Sequence, residues 1–118
     1  LFSRQALTEN RSKPDFLFPS GAAYSDFTFS AKRLTMLAVK RTCRDRWRQV
    51  LTEADRIDQK HLFTFQPGIS EHQTAEMYGA GVRLVLPQSL FSSFTDRQIP
   101  YLINLGDFIE YVRSRQER

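Results

Sequence analysis

The stretch Leu34–Glu53, LTMLAVKRTCRDRWRQVLTE, constrains the fold more than any other part of the chain. It opens with an apolar run that ends on Lys40. Alternation places Leu34, Met36, Ala38 and Lys40 on one face of a strand, and Thr35, Leu37 and Val39 on the other. Both faces are mostly apolar, so the strand is expected at the centre of a covered sheet. After Arg41-Thr42 the pattern becomes helical. Trp47, Val50, Leu51, Ala54 and Ile57 recur at spacings of 3, 1, 3 and 3. This spacing predicts a helix from Thr42 or Cys43 to about Ile57. A covered strand feeding a helix is the building unit of α/β sheets.

The flanks extend that unit. Asp15–Phe18 reads as a short strand behind Pro14, stopped by Pro19-Ser20-Gly21. Residues 22–33 match neither period well and are expected to be loop with a little extended structure. His61–Phe65, HLFTF, is a further strand, stopped by Pro67-Gly68. Ser70 with Gln73 forms a capping-box pattern for a helix to about Tyr78, ended at Gly79 or Gly81. Val82–Leu86 is a strand cut by Pro87, residues 88–98 read as loop, and Asp107–Arg115 is a last helix. Leu1–Lys13 is polar, with room for a short helix around Arg4–Glu9. The order predicts one α/β domain over residues 1–118, with a mixed, mainly parallel central sheet flanked by helices. That length supports one modest core, aromatic-rich because ten residues are Phe.

Composition narrows the function. With 41% hydrophobic and 25% charged residues the chain is globular in character rather than disordered. No apolar run approaches the roughly 20 residues of a membrane span, and no secretory pattern is visible. The expectation is a cytoplasmic protein without a membrane partner. A single cysteine, Cys43, rules out an internal disulfide and a Cys-rich metal site. The net charge of +4 permits a nucleic-acid partner without demanding one. Its distribution says more, since five of the nine residues Lys40–Arg48 are basic. The chain opens on Leu1 rather than Met, so an incomplete domain is expected.

Three residues are candidates for chemistry. Asp15 starts a strand, Lys40 ends the central one, and Glu53 lies on the helix that packs back over the sheet. Metal-dependent phosphodiester cleavage needs carboxylates for a hard cation and a charge to neutralise the phosphate. Each residue also has a plainer reading. Asp15 is then a turn residue, Lys40 a solvated strand end, and Glu53 a surface partner of Arg46, Arg48 or Arg56. At the helix start, Arg44-Asp45-Arg46 suits base edges, because arginine forks fit guanine and a carboxylate accepts from cytosine. Arginines there oppose the helix dipole, a conflict that a bound phosphate or base edge removes. The alternative is a solvated basic helix start with internal pairs. Arg41 and Arg48 suit phosphates. Trp47, Tyr24, Phe16 and Phe18 are assigned to the core, and Tyr24 sits in a loop able to approach DNA. Cys43 is assigned as a small buried residue. His61 and His72 are taken as structural or surface residues, and Glu71 and Glu76 as ordinary helix residues.

Pro14-Asp15 followed by Ala38-Val39-Lys40 resembles the PD-(D/E)xK nuclease signature, with Ala38 where the second acid usually stands. Glu53 matches the acid that a subset of type II restriction endonucleases takes from the following helix. The runs VKRTCRDRWRQVLTEADRI, KHLFTFQPGISEHQTAEM and GVRLVLP resemble the EcoRII C-terminal catalytic domain family, from about Asn10 through the final helix. The resemblance implies a restriction-endonuclease-like core. It implies Mg2+ held by Asp15, Glu53 and the Val39 carbonyl, with Lys40 orienting and acidifying the attacking water. It implies further that Arg44-Asp45-Arg46 reads the ends of a CCWGG-like site in double-stranded DNA, that cleavage leaves 5′-phosphates, and that a homodimer acts without a small-molecule cofactor. Competing expectations are a DNA-binding remnant without catalysis and a basic domain that docks on an acidic protein.

Overall fold

The apolar run before Lys40 forms the strand around which the sheet is built. The computed structural model describes residues 3–4, 15–42, 45–54 and 56–116. Six strands stand in chain order: β1 (Ser3–Arg4), β2 (Phe16–Phe18), β3 (Thr35–Val39), β4 (Lys60–Phe63), β5 (Val82–Leu86) and β6 (Leu102–Asn104). β1, β2 and β3 pair antiparallel, whereas β3 through β6 are parallel. Parallel neighbours need crossovers. These are a 3-10 segment Asp45–Thr52, the helix α2 (Glu71–Gly79), and two 3-10 turns, Gln88–Ser93 and Ile99–Tyr101. The short helix α1 (Gly21–Ser25) joins β2 to β3, and α3 (Leu105–Gln116) follows β6. The mixed sheet flanked by helices is the expected α/β class.

Each face of the sheet has its own core. On one, Leu34, Met36 and Ala38 of the β3 run pack with Trp47, Val50, Leu62, Met77 and Leu84. On the other, Leu37, Val85 and Ile103 pack under Phe108 and Val112 of α3. The expected two-faced β3 is therefore realised, and Trp47 and Tyr24 are core as assigned. Phe16 and Phe18 are partly buried against the second core. Beside α3 that face stays open as an apolar groove lined by Phe16, Leu37, Val39, Phe63 and Ile109. Among the described residues no helix is long and apolar enough to cross a membrane.

Several local expectations are corrected. Residues 22–33 are not all loop: Ser20 caps α1 by accepting from the Ala23 amide at 3.0 Å, and Ala31–Arg33 forms a 3-10 turn. Five residues are too few to express a helical period. The predicted loop over 88–98 is largely 3-10 turn, and β6 was not foreseen. Polar bonds hold this region together with the packing of Leu90, Phe91 and Phe94 on the core. The buried Gln98 amide donates to the Ile69 carbonyl at 2.6 Å and accepts from the Thr95 amide at 2.9 Å. β6 has three residues, too few to show alternation. The long helix predicted to Ile57 is instead the 3-10 segment ending at Thr52. The helix start expected at Ser70 is present, its hydroxyl accepting from the Gln73 amide at 3.1 Å. Residues 5–9 of the suggested first helix, and Cys43, lie outside the described residues.

His61 of β4 is fully buried in the second core, with ring centroids 5.0 Å from Phe108 and 4.9 Å from Tyr111. His72 is exposed. Burial, then the nearby Arg83 and Arg115 charges, lower the His61 pKa to about 3 from its ordinary 6.5. The unfolded chain therefore binds a proton near 6.5 that the folded chain refuses until about 3. Stability is full above the unfolded value and falls as pH drops through this window. In urea denaturation of the wild type and His61→Leu, the gap between the midpoints should change steadily in favour of the variant as pH falls from about 7 to about 4. A gap independent of pH would refute a buried neutral imidazole.

Candidate active site

The site forms where β3 leaves the sheet. The antiparallel β2 brings Asp15 alongside that end, and the Val39 amide donates to Asp15 Oδ2 at 2.5 Å. The Lys40 amide donates to the Phe63 carbonyl at 3.0 Å, and Thr64 Oγ1 donates to the Arg41 carbonyl at 3.1 Å. Pairing with β4 thus continues one step past β3 and fixes the direction in which Lys40 departs. Lys40 Nζ lies 3.8 Å from Glu53 Oε2.

Glu53 reaches Lys40 because of the geometry of the crossover. The Glu53 amide donates to the Val50 carbonyl at 3.1 Å, an i to i−3 bond. With three residues per turn, side chains three apart eclipse. Trp47, Val50 and Glu53 consequently share one face, and all three are buried. In an α-helix the residue six beyond Trp47 would be turned about 240° away from it. The 3-10 winding is what turns this carboxylate inward. The chain then reverses at Ala54, a buried residue with φ +52.

The electrostatics are those of a carboxylate kept out of water. Burial pushes the Glu53 pKa up, and the Asp15 charge adds to the rise, while Lys40 and Lys60 pull it down. Burial is the largest of these effects. Glu53 Oε1 is buried without a hydrogen-bond partner. A buried, unsatisfied carboxylate oxygen is costly, and a divalent cation relieves that cost. A second acid close by, and the Val39 backbone beside it, make a donor set that fits a hard cation completing its shell with water. Among the described residues no third His, Cys, Asp or Glu joins the two acids.

The other expected residues divide. Arg41 and Arg46 are exposed. Arg48 pairs with Glu76 at 3.2 Å and lies over the Trp47 ring at 4.6 Å. Arg44 and the Asp45 side chain lie outside the described residues. The surface-partner reading of Glu53 is corrected: its partner is Lys40. Arg56 instead donates to the backbone carbonyls of Tyr24, Asp26 and Phe29. Lys60 was missed. Its ammonium is buried and donates to the Ala54 carbonyl at 3.2 Å and the Ile57 carbonyl at 2.6 Å. The one available signal was a charge at the mouth of an apolar strand.

A family model described as EcoRII C terminal matches residues 1–109. The chain belongs to the EcoRII C-terminal family. Within the curated proteins, this chain is 55% identical over 108 residues to the type II restriction enzyme EcoRII of Escherichia coli. That match covers 92% of this chain and 27% of the relative, so the chain spans about a quarter of its relative's length. Two solved structures share its fold. Metal-depleted Ecl18kI in complex with uncleaved, modified DNA gives a TM-score of 0.73 at 21% identity, over 88% of this chain and 35% of that one. Metal-depleted Ecl18kI in complex with uncleaved DNA gives 0.74 at 19% identity, over 96% and 37%. The fold is therefore restriction-endonuclease-like.

The raised Glu53 pKa has a consequence for stability. Its folded value lies above the ordinary 4.5, so the associated stability is complete below 4.5 and is lost as pH rises through the folded value. Glu53→Gln should therefore raise the urea midpoint of the metal-free protein at neutral pH, with the gain vanishing in acid. Added Mg2+ should stabilise the wild type and leave the variant unmoved. An unchanged or lowered midpoint at neutral pH would contradict the burial argument.

Proposed function

We propose that this chain carries the catalytic centre of a Mg2+-dependent type II restriction endonuclease. Its substrate is double-stranded DNA at a short CC/GG-containing, CCWGG-like site. The observation that carries the reading is the convergence of Asp15, Lys40 and Glu53 at one strand end, with Glu53 Oε1 buried and unpartnered. Identity to EcoRII over most of the chain supports the reaction class.

Asp15, Glu53 and the Val39 carbonyl hold the cation. Once bound, Mg2+ supplies positive charge against the scissile phosphate. Lys40 orients the attacking water, eases loss of its proton and neutralises charge that grows on the phosphate. The water oxygen bonds to phosphorus, the bond from phosphorus to the 3′-oxygen breaks, and that oxygen takes up a proton. The product keeps its 5′-phosphate. Arg44-Asp45-Arg46 reads C·G pairs in the major groove, and Arg41 and Arg48 contact phosphates. A two-fold homodimer would present one such centre to each strand. The enzyme works in the cytoplasm and needs no small-molecule cofactor.

Plasmid carrying CCWGG sites, incubated with the protein and Mg2+, should give discrete fragments. Lys40→Ala and Glu53→Ala should each slow cleavage by at least about 100-fold. Arg46→Ala should lose about 1–3 kcal/mol of discrimination at one base pair. Arg48→Ala should weaken binding to all sequences alike. Binding without cutting by the wild type would reduce the protein to a DNA-binding module. No binding even at low salt, where phosphate contacts are strongest, would remove DNA as the substrate.

A further inference from the structure

Lys60 opens β4 at the foot of the turn that follows Glu53 and is 6% exposed. Its amide donates to the Gly81 carbonyl at 2.7 Å, which places its backbone in the sheet. Its ammonium reaches back instead, to the Ala54 carbonyl at 3.2 Å and the Ile57 carbonyl at 2.6 Å. The Ile57 amide also donates to the Ala54 carbonyl, at 2.9 Å. The carbonyl of the residue after Glu53 therefore receives two hydrogen bonds.

That residue has reason to need them. Ala54 carries a Cβ at φ +52, in the left-handed region that side chains disfavour. Without restraint the backbone would relax out of this region and swing Glu53 with it. From the other side, Arg56 ties the same turn to the carbonyls of Tyr24, Asp26 and Phe29. The Arg56 amide also donates to the Tyr24 hydroxyl at 3.1 Å. A buried ammonium is costly, and a methionine would fill a similar volume. The ammonium adds two carbonyl bonds at this one turn. Its charge also favours the ionised form of Glu53.

We propose that Lys60 is a positioning residue for the metal site: its ammonium locks the left-handed turn at Ala54, so that Glu53 meets a divalent cation with its carboxylate already in place. This rests on the reading of Glu53 as a metal-binding residue. In this role Lys60 acts through the Ala54 carbonyl.

Mn2+ titration followed by electron paramagnetic resonance tests it without reference to turnover. The wild type, Glu53→Gln, Lys60→Met and Lys60→Arg are compared, and each is also assayed for oligonucleotide binding in chelator. Glu53→Gln should lose the tight Mn2+ site. Lys60→Met should bind Mn2+ at least about 10-fold more weakly, with metal-free DNA binding unchanged. Lys60→Arg, which keeps the charge and the donors, should recover most of that loss. If Lys60→Met does not melt cooperatively, Lys60→Gln replaces it under the same criteria. Wild-type Mn2+ affinity in the Lys60 variant overturns the proposal. So does a parallel loss of metal and DNA binding, which would mark Lys60 as packing alone. Wild-type Mn2+ affinity in Glu53→Gln overturns the reading of Glu53 itself, and the role of Lys60 with it.

Discussion

A carboxylate that burial disfavours is held against a lysine at the end of the central strand, and much of the surrounding structure serves that arrangement. Glu53 Oε2 stands 3.8 Å from Lys40, while Oε1 has no partner. An exposed acid would be satisfied by water, and a buried acid with a full set of hydrogen bonds would be an ordinary structural feature. Glu53 is neither. The nearby Asp15 charge makes its ionised form less favourable still, and two lysines offset this only in part. Groups left in such a state concentrate where a structure is shaped for a ligand rather than for its own stability.

The sheet explains why the site sits where it does. Parallel strands β3 and β4 leave the sheet in the same direction, so loops gather at that edge, as they do at the carboxyl ends of other open α/β sheets. Ala38 and Lys40 share the face of β3 on which the 3-10 crossover lies. Ala38 is fully buried in that core, beneath Trp47 and Val50. An acid at position 38 would stand among apolar side chains. An acid from the covering segment reaches Lys40 from above and leaves the core beneath it intact. The Ala38 vacancy and the Glu53 carboxylate are two aspects of one packing solution.

Where the sequence was legible follows from length and period. β3, β4, β5 and α2 announced themselves through apolar alternation, turn residues and a capping box. β6, α1 and the 3-10 turns did not, because three residues are too few to show strand alternation and three to six are too few to show a helical period. The Asp45–Thr52 segment is more instructive. Trp47 and Val50, three apart, suit an α-helix and a 3-10 helix equally. Leu51, Ala54 and Ile57 tilted the sequence reading toward α, and Glu53, buried three residues beyond Val50, marks the tighter winding. The plainer reading of Glu53 was a surface ion pair, and the structure buries it. Asp15 and Lys40 were identifiable from the signature they resemble. Lys60 belongs to no signature, since its role depends on a φ angle that sequence does not display.

The 3-10 winding also divides the segment by function. Trp47, Val50 and Glu53 face inward, whereas Arg46, Arg48 and Gln49 are exposed. The eight-residue segment and the Glu53 that follows it thus offer a basic outer surface and an acidic contact with the strand end. In the proposed reading, base contacts and metal binding are then opposite sides of one short, tightly wound element. Its far end is fixed by the Ala54 turn, with Lys60 inside it and Arg56 outside. Movement forced on the outer face by DNA has little slack to absorb it before it reaches Glu53. Placing the two tasks on separate elements would have allowed each to vary freely. In the proposed reading, placing them on one would make correct docking on the bases and correct placement of the acid a single mechanical event.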